Sequence, residues 1–283
     1  MTEARQFPDP AVERLMEEPV PGDSRQARQL ARRKQITEAV MAEGSMRIED
    51  LTERFGISLM TVHRDLDELV SRGLLRKSRG IVSAAPTSLI ESSDVYRANR
   101  QAAEKAAIAQ AALAFVEPGQ AIYCDDSTTV LQMVPGLQDK APLTVITNSL
   151  TLMNEISPLR NVTLLGLGGE YHNWCNAFMG HMTTGEIGRL RADVLFFSMA
   201  AVMDGMIFHQ SPGMVETKRA MFDTAERRVL LVDHTKFDRR ALHSLGRLAE
   251  VDTVIVDDGI AADQLDAMQS AGVEVVVAPV ETA

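Results

Sequence analysis

The fold is decided by residues 46–81, MRIEDLTERFGISLMTVHRDLDELVSRGLLRKSRGI. Ile48, Leu51 and Phe55 recur at the spacing of one helical face, and Gly56 supplies a turn that ends this short helix. A second, longer helical pattern follows, and after it the chain becomes basic. A short helix, a turn, a longer helix and a basic hairpin, in this order, predict a winged helix-turn-helix.

The longer helix has one apolar and one polar face. Ser58 is a good N-cap for it, because its hydroxyl can accept a hydrogen bond from a backbone amide one turn on. The side chains predicted to pack inward are Val62, Leu66, Leu69 and Val70. The side chains predicted on the opposite face are Met60, Thr61, Arg64 and Glu68, with His63 at the margin. An exposed strip near the start of a recognition helix is the part that enters a DNA major groove.

The polar face and the basic hairpin supply the candidate DNA contacts. Arg64 is suited to guanine O6 and N7, and Thr61 to a phosphate or a thymine methyl group. Gly73 is predicted to end the helix, and the hairpin after it has residues 76–80, RKSRG, as its predicted tip, which suits phosphates. The residues predicted to contact double-stranded DNA are Arg47, Ser58, Met60, Thr61, His63, Arg64, Arg76, Lys77 and Arg79.

Charge separates this segment from the rest of the chain. The 283 residues carry a formal net charge of −10, which by itself argues against a nucleic-acid partner. Residues 25–85 hold 12 Lys and Arg against 8 Asp and Glu, or +4, so the remainder carries −14. Opposite signs are expected when only one of two domains meets phosphates. A solvated helical domain with surplus arginine is the alternative reading of the charge.

Size and composition bound the class of protein. The length predicts two domains, each large enough for its own core. No apolar run nears the roughly 18 residues of a membrane span, and the N-terminus lacks the basic and apolar regions of a secretory signal. Cys124 and Cys175 are the two cysteines, too few for a disulfide framework, and they predict reduced thiols in a cytoplasmic protein.

Four segments are predicted along the chain. Residues 1–24 are rich in Glu and Pro and predict a disordered acidic tail, and residues 25–83 form the winged helix-turn-helix. Residues 84–96 read as a linker, and residues 97–283 as an α/β domain for effector sensing and oligomerisation. The first helix, Arg25–Glu43, begins with a basic run that opposes the helix dipole. Either a phosphate partner or a frayed, solvated end explains that run, which is Arg25, Arg28, Arg32, Arg33 and Lys34.

Beyond the linker, an alanine-rich helix at residues 98–116 precedes apolar runs that alternate with helix-length segments. The runs predicted as strands are residues 121–125, 143–147, 162–165, 194–199, 229–233, 253–257 and 274–277. Continuous apolar strands separated by helices predict a doubly wound, mostly parallel α/β sheet covered on both faces. In such sheets, ligands bind beyond the carboxyl ends of the strands.

Polar residues recur at those carboxyl ends. Hydroxyls and free amides at a helix start favour a phosphate, and carboxylate or amide oxygens suit sugar hydroxyls. We therefore expect a small phosphorylated sugar or polyol as effector, held by Asp125, Ser127, Thr128, Thr129, Asn148, Ser149, Gly168, Gly169, Asp204, His209, Lys218, Asp233 and Lys236. Each group alone is more often a helix cap or loop residue, and His209 can be either. Their recurrence at successive strand ends is what predicts a site.

Residues 54–80 are similar to the helix-turn-helix of the DeoR-type repressors of bacterial sugar metabolism. Their recognition helix usually reads T-[IV]-R-R-D-L, and residues 61–66 here read T-V-H-R-D-L, with His63 in place of one arginine. The resemblance covers roughly residues 28–258. It implies that Arg64 and His63 read bases and that the wing lies on the DNA backbone.

The second domain resembles the DeoR-type sensor domain, a relative of the ribose-5-phosphate isomerase fold. The matching stretches are residues 125–129, 147–150, 168–169, 218–221 and 233–237. The family commonly has D-S-G-T-T where this chain has D-D-S-T-T, and a Glu where this chain has Met214. Since Asp126 adds a second negative charge beside Asp125, an anion can bind there only if a lysine answers them.

The leading hypothesis is a transcriptional repressor, acting as a homodimer or homotetramer on paired DNA half-sites, whose DNA affinity changes when the effector binds. We expect no catalytic residue, no cofactor and no membrane partner. His172, Cys175 and His181 match no strong zinc spacing, so no metal site is predicted. The alternatives are a sugar-phosphate isomerase fused to a DNA-binding domain, and a regulator that answers a partner protein.

Overall fold

The structure is a computed structural model that describes residues 25–43, 45–71, 74–84, 97–98, 100–237 and 239–281. The predicted acidic tail, and the predicted linker apart from residue 84, lie outside these ranges, as does Gly73, the predicted end of the recognition helix. The chain divides into two compact units, Met1–Leu69 with Leu75–Ala84, and Val70–Leu74 with Ala85–Ala283.

The described residues of the first unit form three helices and a three-stranded antiparallel sheet. The helices are α1 (Arg25–Glu43), α2 (Ile48–Phe55) and α3 (Leu59–Ser71). The strands, in the spatial order β1-β3-β2, are β1 (Ser45–Arg47), β2 (Leu75–Ser78) and β3 (Ile81–Ala84). Gly56 turns the chain between α2 and α3 in the left-handed conformation, with φ of 60°. Ser58 Oγ accepts a hydrogen bond from the Thr61 amide at 3.3 Å, as its predicted role of N-cap requires.

The core of this unit follows the helical period, with two differences. Val62, Leu66 and Leu69 are buried, but Val70 is 37% exposed, because it lies one residue, or about 100°, beyond the buried stripe. The wing also turns later than predicted. Arg79 and Gly80 both have positive φ, 49° and 78°, the pattern of a tight two-residue hairpin turn. Residues 76–78 therefore belong to β2 instead of the tip, and β1, which was not predicted, pairs with β3.

A seven-stranded sheet forms the centre of the second unit, and all of its neighbouring strands are parallel. The strands are β4 (Ala121–Cys124), β5 (Leu143–Thr147), β6 (Val162–Gly166), β9 (Ala192–Phe197), β12 (Ala225–Leu231), β14 (Thr253–Asp257) and β15 (Glu274–Ala278). Their spatial order is β15-β14-β12-β9-β4-β5-β6. The predicted strands and their parallel arrangement are confirmed.

Helices cover both faces of this sheet. The helices are α4 (Ala102–Ala112), α5 (Val134–Leu137), α6 (Leu150–Ile156), α7 (His181–Ile187), α8 (Pro212–Thr224) and α9 (Ala262–Ser270). One core lies under α4, α5 and α6, and the other under α7, α8 and α9. The alanine-rich helix is shorter than predicted: Gln101 has φ of 50°, a left-handed conformation that a helix cannot continue through.

Two small antiparallel sheets were not predicted. β7 (Glu170–His172) pairs with β8 (Ala177–Met179), and β11 (Met206–His209) lies between β10 (Ala201–Met203) and β13 (His243–Arg247). Except for β13, these strands are only three or four residues long, too short for a period of two to stand out in the sequence.

Candidate functional site

The first unit presents the predicted polar strip of α3, which we call the reading face: Met60, Thr61, His63 and Arg64. Met60 is 70% exposed, and Arg64 is exposed with no ion pair or hydrogen bond among the described residues. Thr61 is half-buried, and its hydroxyl lies 2.9 Å from that of Ser58. The arrangement leaves one unpaired guanidinium near the start of an exposed helix, as a base-reading arginine requires.

His63 is held by the wing. Lys77 Nζ lies 2.7 Å from His63 Nδ1 and 3.1 Å from Asp67 Oδ1. Because an ammonium group can only donate, Nδ1 is the acceptor and the ring proton of His63 is on Nε2. His63 therefore offers a hydrogen-bond donor on the reading face, and Lys77 contacts the recognition helix from its place in the wing.

The two carboxylates beside the reading face each form an ion pair with a cation. Asp67 pairs with Lys77, and Glu68 lies 3.8 Å from Arg33. Pairing reduces the repulsion that these carboxylates would exert on DNA phosphates. The remaining predicted contacts, Arg47, Arg76 and Arg79, are exposed on β1, β2 and the wing turn.

The basic start of α1 has a partner within the protein. Asp65, on the inner side of α3, has a side chain that is 1% exposed, and it accepts hydrogen bonds from Arg32 Nε at 2.6 Å and Arg33 Nε at 3.0 Å. Burial alone would raise the pKa of Asp65, but the two arginines outweigh burial and lower it. For Arg32 and Arg33, neither of the two sequence-based explanations holds: they stabilise a buried carboxylate.

In the second unit, a cavity lies beyond the carboxyl ends of three neighbouring strands, β12, β9 and β4, which is where a parallel sheet is expected to bind a ligand. The cavity is partly open to solvent. We call it the cationic cavity because the described residues that line it include Arg97, Arg100, Lys105, Lys236 and Arg239. The hydroxyl groups that line it are on Ser127, Thr128, Thr129, Ser198 and Thr235.

Lys105 reaches the cavity from the first turn of α4. Its ammonium donates a hydrogen bond to Thr128 Oγ1 at 3.0 Å and another to the Arg97 carbonyl. Burial lowers the pKa of Lys105 to about 8, helped by the neighbouring positive charges of Lys236, Arg97 and Arg239 and opposed by Asp233. The side chains are thus close enough for their charges to interact, and an anion entering the cavity would relieve the repulsion.

Asp233 and His209 are the other ionisable residues at the cavity. Burial would raise the pKa of Asp233, but Lys236, 3.7 Å away, and a hydrogen bond from Thr235 lower it. Burial and the charge of Lys218 lower the pKa of His209 to about 3, so its imidazole is neutral. Since His209 Nδ1 accepts the Ser211 amide hydrogen at 3.1 Å, Nε2 carries the proton. The cavity therefore combines cations with an acceptor and a neutral donor, a set that suits a phosphate attached to a polyhydroxy compound.

Beneath the cavity, Lys218 forms ion pairs with Asp125 and Asp126. The two adjacent carboxylates of the D-D-S-T-T sequence thus have the lysine partner that the sequence predicts. Lys218 Nζ contacts Asp125 Oδ2 and lies 2.9 Å from Asp126 Oδ1, with all three side chains at most 3% exposed. Burial would lower the pKa of Lys218, but the two carboxylates raise it. Asp125 also accepts the amide hydrogens of Ser127 and Ser198, at 2.9 and 2.8 Å. Asp125 and Lys218 therefore support the cavity and are not among the residues that line it.

Five other predicted effector contacts are also not among the lining residues: Asn148, Ser149, Gly168, Gly169 and Asp204. They follow β5, β6 and β10, whereas the cavity lies over β12, β9 and β4. Asn148 donates to the Phe178 carbonyl, Ser149 caps α6, and Gly168 accepts from Thr183. Asp204 and Gly205 form the β10–β11 turn, with φ of 51° and 69°. The predicted contacts that do line it are Ser127, Thr128, Thr129, His209, Asp233 and Lys236.

Comparison with family models decides the class of protein. The model described as "DeoR-like helix-turn-helix domain" matches residues 32–87, and the one described as "DeoR C terminal sensor domain" matches residues 100–258. The chain belongs to the DeoR family. The resemblance drawn from residues 54–80 and from the sensor-domain stretches is thereby confirmed, and the function that comes with the family is transcriptional regulation through DNA binding.

Curated DeoR-family relatives align over most of the chain. A putative aga operon transcriptional repressor of Escherichia coli O157:H7 is 27% identical over 90% of this chain and 96% of its own. The transcriptional repressor AccR of Agrobacterium fabrum is 31% identical over 81% and 89%. The glycerol-3-phosphate regulon repressor of Escherichia coli K12 is 29% identical over 81% and 91%.

Solved structures give a weaker comparison for this DeoR-family chain. Ribose 5-phosphate isomerase A from Neisseria gonorrhoeae aligns over 47% of this chain and 52% of its own with 14% identity and a TM-score of 0.35. We draw no conclusion from a likeness at this level. Within the described residues, no helix is long and apolar enough to cross a membrane, and no group of three or more His, Cys, Asp or Glu is placed to hold a metal ion.

Sequence reasoning missed the cations that reach the DeoR sensor cavity from outside the strand ends: Arg97, Arg100, Lys105 and Arg239. Lys105 lies in an alanine-rich helix whose period indicates only core packing. The signal that could have found it is a charge on the inner face of that helix, since Lys105 is buried together with Ile108, Ala109 and Ala112.

Proposed function

We propose that this DeoR-family regulator represses an operon for the use of a sugar, a sugar alcohol or a related compound, and that a phosphorylated sugar-like effector in the cationic cavity changes its DNA affinity. The observation that carries the proposal is the cavity, where several cations surround Thr128 and Asp233. The names of the relatives support it, since one is a glycerol-3-phosphate regulon repressor and others are lactose phosphotransferase system repressors.

The reading face supports the DNA half of the proposal. Arg64 is exposed and unpaired among the described residues, while His63 is positioned by Lys77 to donate a hydrogen bond. We expect Arg64 to contact guanine and the wing arginines to contact phosphates. Paired half-sites call for two copies of this face, so we expect a homodimer or homotetramer that acts on genomic DNA in the cytoplasm.

We infer that the cavity senses its ligand without converting it. An isomerase needs a group that can move a proton at the substrate. Lys218 is enclosed between two carboxylates, and Met214, in the position where the family tends to have a Glu, is fully buried. The ionisable groups that do line the cavity include Lys105 and Asp233, so a direct assay of turnover decides between sensing and conversion. Incubation with pentose and hexose phosphates, followed by NMR, tests this inference. We expect no product, and measurable turnover would favour the isomerase alternative.

The experiment that tests the proposal is a DNA-binding titration with the full chain and the DNA upstream of its own gene, followed by fluorescence anisotropy. A panel of triose, pentose, hexose and amino-sugar phosphates is added, with each unphosphorylated parent compound as its control. We expect at least one phosphate ester to shift the apparent Kd by about 5- to 150-fold, the usual range of allosteric coupling, and its parent to have no effect. A parent compound that acts as well as its ester would contradict the role of the cations.

A further inference from the structure

Arg97 directly follows residues 84–96, the predicted linker between the wing and the sensor domain. Its side chain lines the cationic cavity and is 15% exposed. Its backbone is tied to the same cavity, because the Arg97 carbonyl accepts a hydrogen bond from Lys105. The residue that follows the connection is therefore attached to the effector cavity through both side chain and backbone.

The side-chain attachment is loose. Arg97 Nη2 lies 3.5 Å from Asp126 Oδ2, close enough for an ion pair. Among the described residues, however, Arg97 Nε, Arg97 Nη2 and Asp126 Oδ2 are buried and have no hydrogen-bond partner. Buried donors without acceptors are unfavourable, so an anion in the cavity would be a better partner for Arg97 than Asp126 is.

Asp126 does not depend on Arg97. Its other oxygen, Oδ1, lies 2.9 Å from Lys218 Nζ, and this pair is buried below the cavity. If Arg97 moved to an entering anion, Asp126 would keep a cationic partner and would not be left as an unpaired buried charge. The structure shows Arg97 facing Asp126, and an anion in the cavity would offer it a second partner.

Lys105 is subject to the same competition. Its ammonium donates to the Arg97 carbonyl and to Thr128 Oγ1, and both Lys105 and Thr128 line the cavity. An anion that attracts the Lys105 ammonium would weaken the hydrogen bond from Lys105 to the Arg97 carbonyl. A bound anion would therefore weaken both attachments, since it attracts the Arg97 side chain in one case and Lys105 in the other.

We propose that Arg97 is a positioning residue that transmits effector binding: an anion in the cationic cavity draws Arg97 from Asp126 and Lys105 from the Arg97 carbonyl, which shifts the backbone at the end of the connection to the DNA-reading unit. This inference rests on the proposed function, because it requires an anion in that cavity. It assigns the start of the regulatory change to one residue with two alternative partners.

The test uses inorganic phosphate as the probe and hydrogen–deuterium exchange of the full chain as the readout. Amides in residues 127–131 and 234–237 report binding. Amides in residues 97–105 report the shift together with binding, because Arg97, Arg100 and Lys105 line the cavity, and comparison with Arg97→Gln separates the two. We expect saturating phosphate to slow exchange in the first group and to change exchange in the second by about fivefold or more, the lower end of ordinary allosteric coupling. Binding without a change in residues 97–105 would overturn the inference and leave the anion site intact. No response in either group would overturn the anion site and the inference with it.

Two variants and a control isolate Arg97. Arg97→Gln removes one cation from the cavity, so the affinity of this variant for phosphate should be lower than that of the wild type. Hydrogen–deuterium exchange of the variant is therefore measured at a phosphate concentration that saturates it. We expect residues 127–131 and 234–237 to respond as in the wild type, and residues 97–105 to respond less than in the wild type, because only the hydrogen bond of Lys105 to the backbone of residue 97 remains to transmit binding. Complete loss of binding in Arg97→Gln would make Arg97 a ligand-holding residue and contradict the positioning role.

The second variant is Asp126→Asn. Without phosphate, exchange in residues 97–105 of this variant should already resemble that of the phosphate-bound wild type, and exchange like that of the phosphate-free wild type would count against the proposal. Arg100→Gln, which removes the same charge from the same cavity, should retain the response of residues 97–105.

Discussion

The two units carry their functional cations in opposite ways. Arg64 on the reading face is exposed and has no partner among the described residues, whereas Lys105 and Lys236 are gathered with arginines around a cavity. DNA presents a large surface of phosphates and base edges to the first unit. Arg64 can therefore remain solvated in the absence of DNA at little cost in free energy. A small anion has to be surrounded, and under the proposed function the sensor unit tolerates repulsion between its cations until the anion binds. That repulsion contributes to the low pKa of Lys105.

Each unit has a buried charge that lies between two charges of the opposite sign. In the first unit, one carboxylate, Asp65, lies between Arg32 and Arg33; in the second, one ammonium, Lys218, lies between Asp125 and Asp126. Asp65 has a lowered pKa and Lys218 a raised one, because in each case the partners outweigh burial. A charge enclosed between two opposite charges therefore supports the structure, whereas the cations on the reading face and in the cavity are placed for recognition.

The largest expected effect is on stability, from Lys218→Met. Removing this ammonium leaves Asp125 and Asp126 buried side by side, and breaking a buried ion pair costs about 3–5 kcal/mol. Urea unfolding followed by the fluorescence of Trp174, the single tryptophan, reports the sensor unit alone.

The matched control is the neighbouring residue. Arg219 also pairs with two carboxylates, Asp223 and Glu250, but its side chain is 39% exposed. Arg219→Met should therefore lower the free energy of unfolding by no more than about 1 kcal/mol. Equal losses for the two variants would erase the distinction between buried and exposed charge.

The next effect is on DNA recognition, from Arg64→Ala. One bidentate arginine–guanine contact contributes about 1–3 kcal/mol of discrimination, so we expect the ratio of operator to non-specific affinity to fall about 5- to 150-fold for each reading face that binds DNA. The thermal midpoint should not change, because Arg64 has no partner to lose among the described residues. Anisotropy with operator and scrambled DNA at one salt concentration measures the ratio.

Arg54→Ala is the control for Arg64→Ala. Arg54 is an arginine of the same unit, half exposed on α2, and its partner is Glu43. The same unit charge is removed, so non-specific binding should weaken equally in both variants, while the ratio of specific to non-specific affinity should fall only in Arg64→Ala. Retained specificity in Arg64→Ala would show that the reading face is misassigned.

A smaller effect is expected on regulation, from Lys236→Ala. Lys236 lines the cavity, and a hydrogen bond to a charged group contributes about 1.5–3 kcal/mol, so the effector concentration for half response should rise roughly 10- to 100-fold. DNA affinity without effector should remain as in the wild type. Lys140→Ala, outside the residues that line the cavity, is the control. An unchanged response in Lys236→Ala would remove that residue from the site.

Features that depend on local sequence could be predicted, and features that depend on tertiary packing could not. The recognition helix and the parallel strands follow from local periods, and Thr128 and Asp233 follow from where buried strands end. Arg97 and Lys105 could not be placed, because they reach the cavity from α4 and the segment before it, and only tertiary packing decides that. Partners far apart in sequence were missed for the same reason, as in the pairing of Asp65 with Arg32 and Arg33.

The predicted contacts that do not line the cavity show the limit of reasoning from strand ends. All strands of a parallel sheet end at one edge, but a ligand covers only a few of them. Asn148 and Gly168 follow β5 and β6, which lie on the side of β4 away from β9 and β12. Strand order depends on long-range pairing, so a sequence gives the set of strand ends and not the neighbours within it.

The smallest expected effect is a pH dependence of effector binding that arises from Lys105. Its pKa is lowered to about 8, so the ammonium is mostly charged at pH 7 and mostly neutral at pH 9. Phosphate esters, whose second pKa is about 6, stay dianionic over this range. The effector affinity should therefore fall a few-fold between pH 7 and pH 9, as calorimetry can measure, while DNA affinity in the absence of effector follows a different profile.

Lys105→Arg separates this effect from other titrations. An arginine keeps its charge throughout the range, so the fall in affinity between pH 7 and pH 9 should disappear even if the affinity itself is lower. A fall of the same size in Lys105→Arg would mean that another group titrates. In that case, the difference between the cavity and the reading face would not lie in the charge state of Lys105, and the crowding of cations around it would be ordinary packing with no consequence for binding.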